Sequence, residues 1–373
     1  MKKSKKVILI IISIIMAFLL AAVIFILTSR VFAVFDGKEF SDTYESRAEN
    51  YYDGCFHNEV ELSDDEINEK DPYKDRTTGK GIIPEETVPV MNPSFGNCPE
   101  GDIEITWYGH SILLITMHDL NILVDPVFSD YLGLNPVLSL PRFQKIHSYA
   151  EDLPHIDLCI LTHDHFDHLD YRSITELDDR IDTYIVPLGV DQRLDRFGVS
   201  SDKITAMAWW EEEDVDGLHI ACTPAQHTSG RIWIDKKQTL WCSYVFYDEN
   251  HRIFLTGDTG FGPHFEEIHD VYGDMDLMMT DGAQYGEEKD KHTNHMFPEE
   301  SAEAAAIMGA KKAMINHWGS FCISDWHAWD DPPSRFAMAC ETLGIDCISP
   351  RLGQTFLLSN TEDLHEHWWE DLK

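Results

Sequence analysis

The 373-residue sequence predicts a layered α/β body behind an N-terminal membrane-spanning helix. Three observations lead there. An uncharged apolar run of 21 residues, Val7 to Leu27, stands ahead of everything else. Short β-type runs follow in two batches. Helical stretches are interspersed among them, two of which carry proline at the start and glycine at the end. Strand batches with interspersed helices are the pattern of sheets packed under helical layers.

The apolar run spans roughly 30 Å as a helix, about one hydrocarbon core. A cleaved signal peptide is the alternative, but its apolar core is usually only about 7–15 residues. "MKKSKK" places four lysines before the span, and only Arg30 lies close behind it. The positive-inside rule then leaves the N-terminus in the cytoplasm and the body outside, on a single-pass anchor. Residues 1–30 are read as the anchor, 31–95 as an acidic linker and N-terminal extension, and 96–373 as the catalytic body. The linker expectation rests on charge. Between Ser41 and Asp75 twelve acidic residues stand against three basic ones, the composition of a solvated segment.

Within the body, "IEITWY", "SILLITM" and "NILVD" read as a meander of hairpins, and "IDLCILT" as a fully buried strand. "YRSITELDD" and "VDQRLDRF" read as helices. "LHIACT", "LWCSYVFY", "RIFLTG" and "DLMMT" form the second batch of strands. The helix "FPEESAEAAAIMG", the strand "KKAMINH" and the helix "PPSRFAMACETLG" complete the pattern. The eight cysteines include no C-x-x-C pair, which argues against a cysteine zinc site. Cys159, Cys222 and Cys242 sit in apolar runs and are expected in the core, although an even count outside the cytoplasm permits disulfides.

Lys+Arg 29 against Asp+Glu 66 gives a net charge of −37. So acidic a surface excludes nucleic acid as the partner, and an anionic substrate needs local cations. The sequence offers a place for them. "LTHDHFDHLD" puts His163, His165, Asp167 and His168 directly behind the buried run. Imidazole and carboxylate together suit zinc, manganese or iron. His163 and His165, two apart, can point the same way, with Asp167 and His168 reaching a second point nearby. Three later strand-like runs end in further donors: His227 in "PAQHTSG", Asp258 in "LTGDTG" and His317 in "INHWG". The set closes as His163, His165 and His227 on one ion, Asp167, His168 and His317 on another, with Asp258 between. Two such ions activate a water and neutralise charge on a phosphoryl or carbonyl oxygen.

"TWYGHSILL", "DPVFS", "THDHFDHLDY", "PAQHTSGR", "LWCSYVF", "GDTGFGPHF" and "INHWGSF", in this order, resemble the metallo-β-lactamase superfamily. Within it the pattern is similar to the N-acylphosphatidylethanolamine-hydrolysing phospholipase D group and its bacterial relatives. "YYDGCFHN" near Tyr51 extends the likeness over about residues 51–360. The resemblance implies an αββα sandwich, two divalent ions and hydrolysis by a metal-bridging hydroxide, with Asp167, Asp258 and His295 carrying the chemistry. His295 is implied as a pocket histidine near the leaving group. Asp125 is implied as a group orienting a ligand histidine, and His110 as a residue at a hairpin tip facing the site. The implied substrate is a phospholipid phosphodiester. A lactonase-like or other small phosphoester or ester hydrolase, or a non-catalytic surface metal-binding protein, is the alternative. "HEHWW" (His365 to Trp369) imitates a metal motif but lacks partners, so its aromatics are expected to dock on the body or the membrane. Trp209 and Trp210 are expected to pack.

Overall fold

A computed structural model of the chain describes every residue except 1, 61–80, 135–138, 147–148, 286–293, 325 and 373. Helix α1 (Lys2–Thr28) stands clear of the body with its isoleucine, leucine and phenylalanine side chains exposed. By length and composition it can cross a membrane.

Two seven-stranded sheets form the body. Before them come α2 (Ser41–Arg47) and a small hairpin of β1 (Tyr51–Tyr52) and β2 (Cys55–Phe56). The first sheet contains β3 (Glu104–Trp107), β4 (Leu113–Met117) and β5 (Leu120–Val124) as an antiparallel meander. After a short excursion, β6 (Tyr131–Leu132) against β7 (Leu140–Pro141), the chain passes through α3 (Tyr149–Asp152). It then returns as β8 (Ile156–Ile160), parallel to β5. Helix α4 (Tyr171–Leu177) crosses to β9 (Ile181–Pro187), and α5 (Val190–Phe197) to β10 (Ile204–Met207), each strand parallel to the one before.

The second sheet begins antiparallel, with β11 (Glu212–Val215), β12 (Leu218–Thr223), β13 (Ser243–Tyr247) and β14 (Arg252–Leu255). It continues in parallel through α6 (His264–Tyr272) to β15 (Leu277–Thr280), and through α7 (Pro298–Ile307) to β16 (Lys312–Ile315). Helix α8 (Asp331–Leu343) leads to β17 (Asp346–Cys347) on the far edge. Finally β18 (Thr355–Leu357) returns to the first sheet beside β3.

The alternation along each strand builds the layers. Leu113, Ile115, Ile122, Val124, Leu158 and Ile160 face inward, in one cluster with Ile220, Tyr244, Phe246 and Phe254 of the second sheet. Their neighbours Leu114, Leu123 and Cys159 face outward and share a second cluster with Ile174 of α4 and Leu194 of α5. Helices α7 and α8 pack against the second sheet. The result is the expected αββα sandwich. Its parallel strands require helical crossovers and so leave their C-terminal ends together at one rim.

The sequence reading missed the two-residue strands β1, β2, β6 and β7, and also β9, β10, β11, β17 and β18. Strand β9 opens with Asp182 and Thr183, which blur its alternation, and β17 and β18 are two and three residues long. The expected solvated linker is corrected over residues 32–60. Tyr44, Ala48, Tyr51 and Phe56 are buried in the main cluster, while Asp42, Glu45, Glu49 and Asp53 point to solvent. The charge count hid a four-residue apolar spacing on one helical face. Residues 61–75 of that stretch lie outside the described residues.

Cys159, Cys222 and Cys242 are core residues as expected, none of the three in a disulfide. Trp209 is buried, but Trp210 is partly exposed. At the C-terminus His365 pairs with Asp346 and His367 with Glu370, so neither is drawn into a metal cluster. Trp368 and Trp369 dock on the body. Both are buried against Trp318, at ring distances of 5.4 and 5.6 Å, and Trp369 Nε1 donates to Ser334 Oγ at 2.9 Å. Trp318 follows His317 directly, so the tail braces a rim loop. Trp369→Ala is expected to cost roughly 3–5 kcal/mol of stability, the usual penalty for emptying a buried aromatic site. Denaturant titration of the purified chain checks this.

Candidate metal centre

The rim at the strand ends is where the donors meet. The loop after β8 carries His163, Asp164, His165, Asp167 and His168, and its alternation sends His163 and His165 to one side and Asp164 to the other. His163 Nε2 lies 2.9 Å from His165 Nδ1, and His227 Nε2, on the loop after β12, lies 3.2 Å from the same atom. Around a second point, His317 Nε2 stands 3.3 Å from both His168 Nε2 and Asp167 Oδ2. Asp258, on the loop after β14, sits between the two groups. Its Oδ2 is 3.7 Å from His163 Nε2, 3.8 Å from His227 Nε2, 3.1 Å from His168 Nε2 and 3.3 Å from His317 Nε2.

The donors fall into overlapping groups: His163, His165, His227 and Asp258; His110, Asp167, His168 and His317; and Asp258, Asp281, His295 and His317. All seven residues expected from the sequence lie within them, joined by His110, Asp281 and His295.

The supporting residues fix which nitrogen points inward. Asp125 Oδ2 accepts from His168 Nδ1 at 2.7 Å and from Thr162 Oγ1 at 2.7 Å, while its Oδ1 accepts from Thr162 N at 2.9 Å. His227 Nδ1 donates to Asn294 O at 2.9 Å. In both rings Nε2 is left to the centre, the arrangement by which metal-binding histidines are oriented. His110 sits at the hairpin tip between β3 and β4 with Nε2 2.9 Å from Asp167 Oδ2. It joins the second cluster more closely than a facing residue would. His110 and His317 both adopt the left-handed backbone region, with φ of 53° and 63°. They are locked there by exchanged main-chain bonds, His317 N to His110 O at 3.0 Å and His110 N to Trp318 O at 2.8 Å.

Sequence reasoning missed Asp281. Its Oδ2 accepts from His295 Nδ1 at 2.9 Å, and its Oδ1 faces His317 Nδ1 at 3.3 Å. The one available signal was an acid directly after the strand "LMMT", much as Asp258 stands three residues after "RIFL". With Nδ1 tied to Asp281, His295 leaves Nε2 available to the adjoining cavity. That cavity, about 720 Å³, is lined by His165, Asp167, Asp258, His295 and His317 on its polar side.

Electrostatically this is an unsettled interior. Burial pushes His110 and His227 down to about 3, and holds His163 well below the ordinary imidazole value. At His317 burial acts the same way, but Asp258, Asp167 and Asp281 outweigh it and raise the ring to about 10. His168 is likewise lifted well above its ordinary value, against burial, by Asp258, Asp167 and Asp125. Burial would raise Asp167 and Asp258, yet His168 and its neighbours hold both well below the carboxylate range. Asp258 Oδ1 is buried without a hydrogen-bond partner. An orphaned carboxylate oxygen amid converging nitrogen lone pairs fits divalent cations, whose charge satisfies both.

Residues 120–318 match the β-lactamase superfamily domain. A protein of Mycobacterium tuberculosis is 32% identical over 291 residues, 77% of each chain. The N-acyl-phosphatidylethanolamine-hydrolyzing phospholipase D 1 of Caenorhabditis elegans is 29% identical over 261 residues, 67% of this chain and 73% of that one. Among solved structures, Igni18, a metallo hydrolase from Ignicoccus hospitalis, superposes with a TM-score of 0.53 at 17% identity, covering 69% of this chain and 98% of that one. The matched region includes strands of both sheets and all seven convergent donors at their rim, and the chain therefore belongs to the metallo-β-lactamase superfamily of metal-dependent hydrolases.

Proposed function

We propose that the chain is a membrane-anchored dinuclear phosphodiesterase acting on a phospholipid of the N-acylphosphatidylethanolamine type. The observation that carries this is the mixed lining of the cavity. Beside the histidines and carboxylates it is lined by Phe32, Leu132, Leu134, Leu140, Phe166 and Ile323. An apolar wall beside a charged centre suits an amphiphile, with the phosphodiester at the polar end and acyl chain along the wall. Phe32 lies four residues beyond the end of α1, so an anchored helix sets the cavity close to the bilayer surface. Zinc is the ion favoured here, with manganese or iron accepted by the same donors. The body lies outside the cytoplasm by the lysine asymmetry. The relative from Caenorhabditis elegans is named for the same substrate class.

His163, His165 and His227 would hold one ion and Asp167, His168 and His317 the other, with the Asp258 carboxylate within reach of both groups. When bound, two such ions lower the pKa of a shared water and neutralise charge on the phosphoryl oxygens. His295 presents Nε2 to the leaving-group side, with Asp281 fixing its ring. The wall excludes water from the ester and orients the chain.

Full-length protein in detergent micelles, loaded with zinc or manganese, is expected to convert N-acylphosphatidylethanolamine to N-acylethanolamine and phosphatidic acid. Mass spectrometry reads the products, and His227→Ala is expected to abolish them. Absence of any lipid product from protein holding two ions would sink the reading and favour a small soluble phosphoester or lactone. His295→Ala should retain both ions yet lose roughly 10²-fold or more in kcat, the contribution of a positioned acid–base group.

The metal-free centre also makes a pH prediction. His168 and His317, with raised pKa values, hold protons at pH 7 and must release them to act as ligands. Apparent metal affinity should therefore rise with pH above neutrality and fall below it. Calorimetry in buffers of different ionisation enthalpy should register at least about one proton released per protein on loading.

A further inference from the structure

A short strap joins α1 to the body, and two buried arginines take up its carbonyls. Arg193 Nη1 donates to Ala33 O at 2.8 Å. Arg231 donates to Val31 O from Nε at 3.1 Å and from Nη2 at 2.8 Å. The same guanidiniums hold the histidine loop. Arg193 Nε and Nη2 reach Asp164 Oδ2 at 3.0 and 2.9 Å. Arg231 Nη1 donates to Asp164 O at 2.8 Å and to Leu169 O at 2.9 Å. Gly230 N donates to Asp164 Oδ1 at 2.7 Å, which draws in the segment just beyond His227. Asp235 accepts from Arg193 at 2.9 Å and balances the charges, two cations against two carboxylates. Such a buried quartet is tolerated only when every member is in place.

Apolar contacts dock the same strap. The Phe32 ring meets Phe166 of the histidine loop edge-on at 6.1 Å, and Arg231 covers the other ring of that pair, Phe166, at 4.0 Å. Arg193 lies 4.7 Å over Phe35. Ala33 is buried at φ 47°, a left-handed conformation that a non-glycine residue keeps only where its surroundings impose it. Neither arginine lines the cavity.

We propose that the strap of residues 31–35 is a positioning element of the metal centre, not a tether. Docked, it completes the arginine clamp on Asp164, and Asp164 fixes His163 and His165 on either side of it. The inference rests on the metal-centre reading of those histidines and is separate from the choice of substrate. Its consequence is that anchoring and site assembly share residues. A chain released by cleavage beyond Ala33 holds its ions weakly, whereas one cut before Val31 keeps them.

The test uses the full chain in detergent micelles. Ala33→Val forces a β-branched residue into the left-handed region and releases the strap, while Ala33→Gly accepts that conformation. A second variant, F32G/F35G, removes the apolar contacts instead. Chymotrypsin cleavage in the strap reports release, at Phe32 or Phe35 in the Ala33 variants. Zinc affinity is measured by competition with a chromophoric chelator, and circular dichroism verifies the fold. Ala33→Val and F32G/F35G are expected to bind zinc at least tenfold more weakly, with Ala33→Gly within twofold of the parent. Unchanged zinc affinity in both released variants overturns the proposal. Absence of zinc binding by the parent chain overturns the proposal and the metal-centre reading together. A zinc-loaded parent inactive on phospholipid removes only the substrate assignment.

Discussion

Four imidazole nitrogens lie within 4 Å of one carboxylate oxygen, Asp258 Oδ2, all of them on buried side chains. The rest of the structure is arranged around the cost of that arrangement. A buried carboxylate is expensive unless it is paired, and nitrogen lone pairs facing one another gain nothing. Without ions the centre compensates by protonating: His168 and His317 take up charge while His110 and His227 are kept neutral. That compromise leaves Asp258 Oδ1 without a partner. Divalent cations replace protons with greater charge at the same point, so the geometry is better satisfied loaded than empty.

Such a convergence demands a scaffold that delivers several backbone segments to one place. The sandwich does so because strand ends gather at its rim. Asp125, the histidine loop, Asp258, Asp281 and His317 follow β5, β8, β14, β15 and β16. His227 follows β12, and the hairpin tip between β3 and β4 adds His110. The strands are held rigid by the inner cluster, so each loop needs only a few residues to place its donor. The left-handed backbones at His110 and His317 show where that economy stores strain, and the Trp318, Trp368 and Trp369 stack shows what restrains it.

What could be read from the sequence follows the same division. The ligands were legible because donors crowd behind apolar runs, a pattern with few other uses. His110, Asp125 and His295 became legible only through resemblance, since a lone histidine or aspartate near a turn has many explanations. Asp281 offered only its place behind a strand, and the Arg193 and Arg231 clamp was not legible at all. Arg193 lies 29 residues from Asp164 and 160 from Ala33, and no local pattern records a partnership made by folding. The packing of Tyr44, Ala48, Tyr51 and Phe56 was hidden for another reason. Average charge over a segment conceals the few apolar side chains that the body requires, Tyr44 and Ala48 one helical turn apart and Tyr51 and Phe56 on the hairpin.

The acidic surface and the apolar cavity wall also belong together. A chain with a net charge of −37 repels phosphodiesters over most of its surface, and an anionic bilayer repels it in turn. On the proposed reading, attraction would be left to cations held at the centre, where a low-dielectric cavity strengthens their field. On the same reading an apolar anchor would overcome the long-range repulsion, because burying an apolar span is nearly independent of surface charge. Held at a bilayer, the chain would meet its substrate without diffusion through water, and the apolar wall would receive an acyl chain over a short distance. The strap that begins at the end of the anchor and finishes against the histidine loop makes these two requirements one structural problem. Its solution is a pair of arginines whose charges are wholly consumed inside the protein.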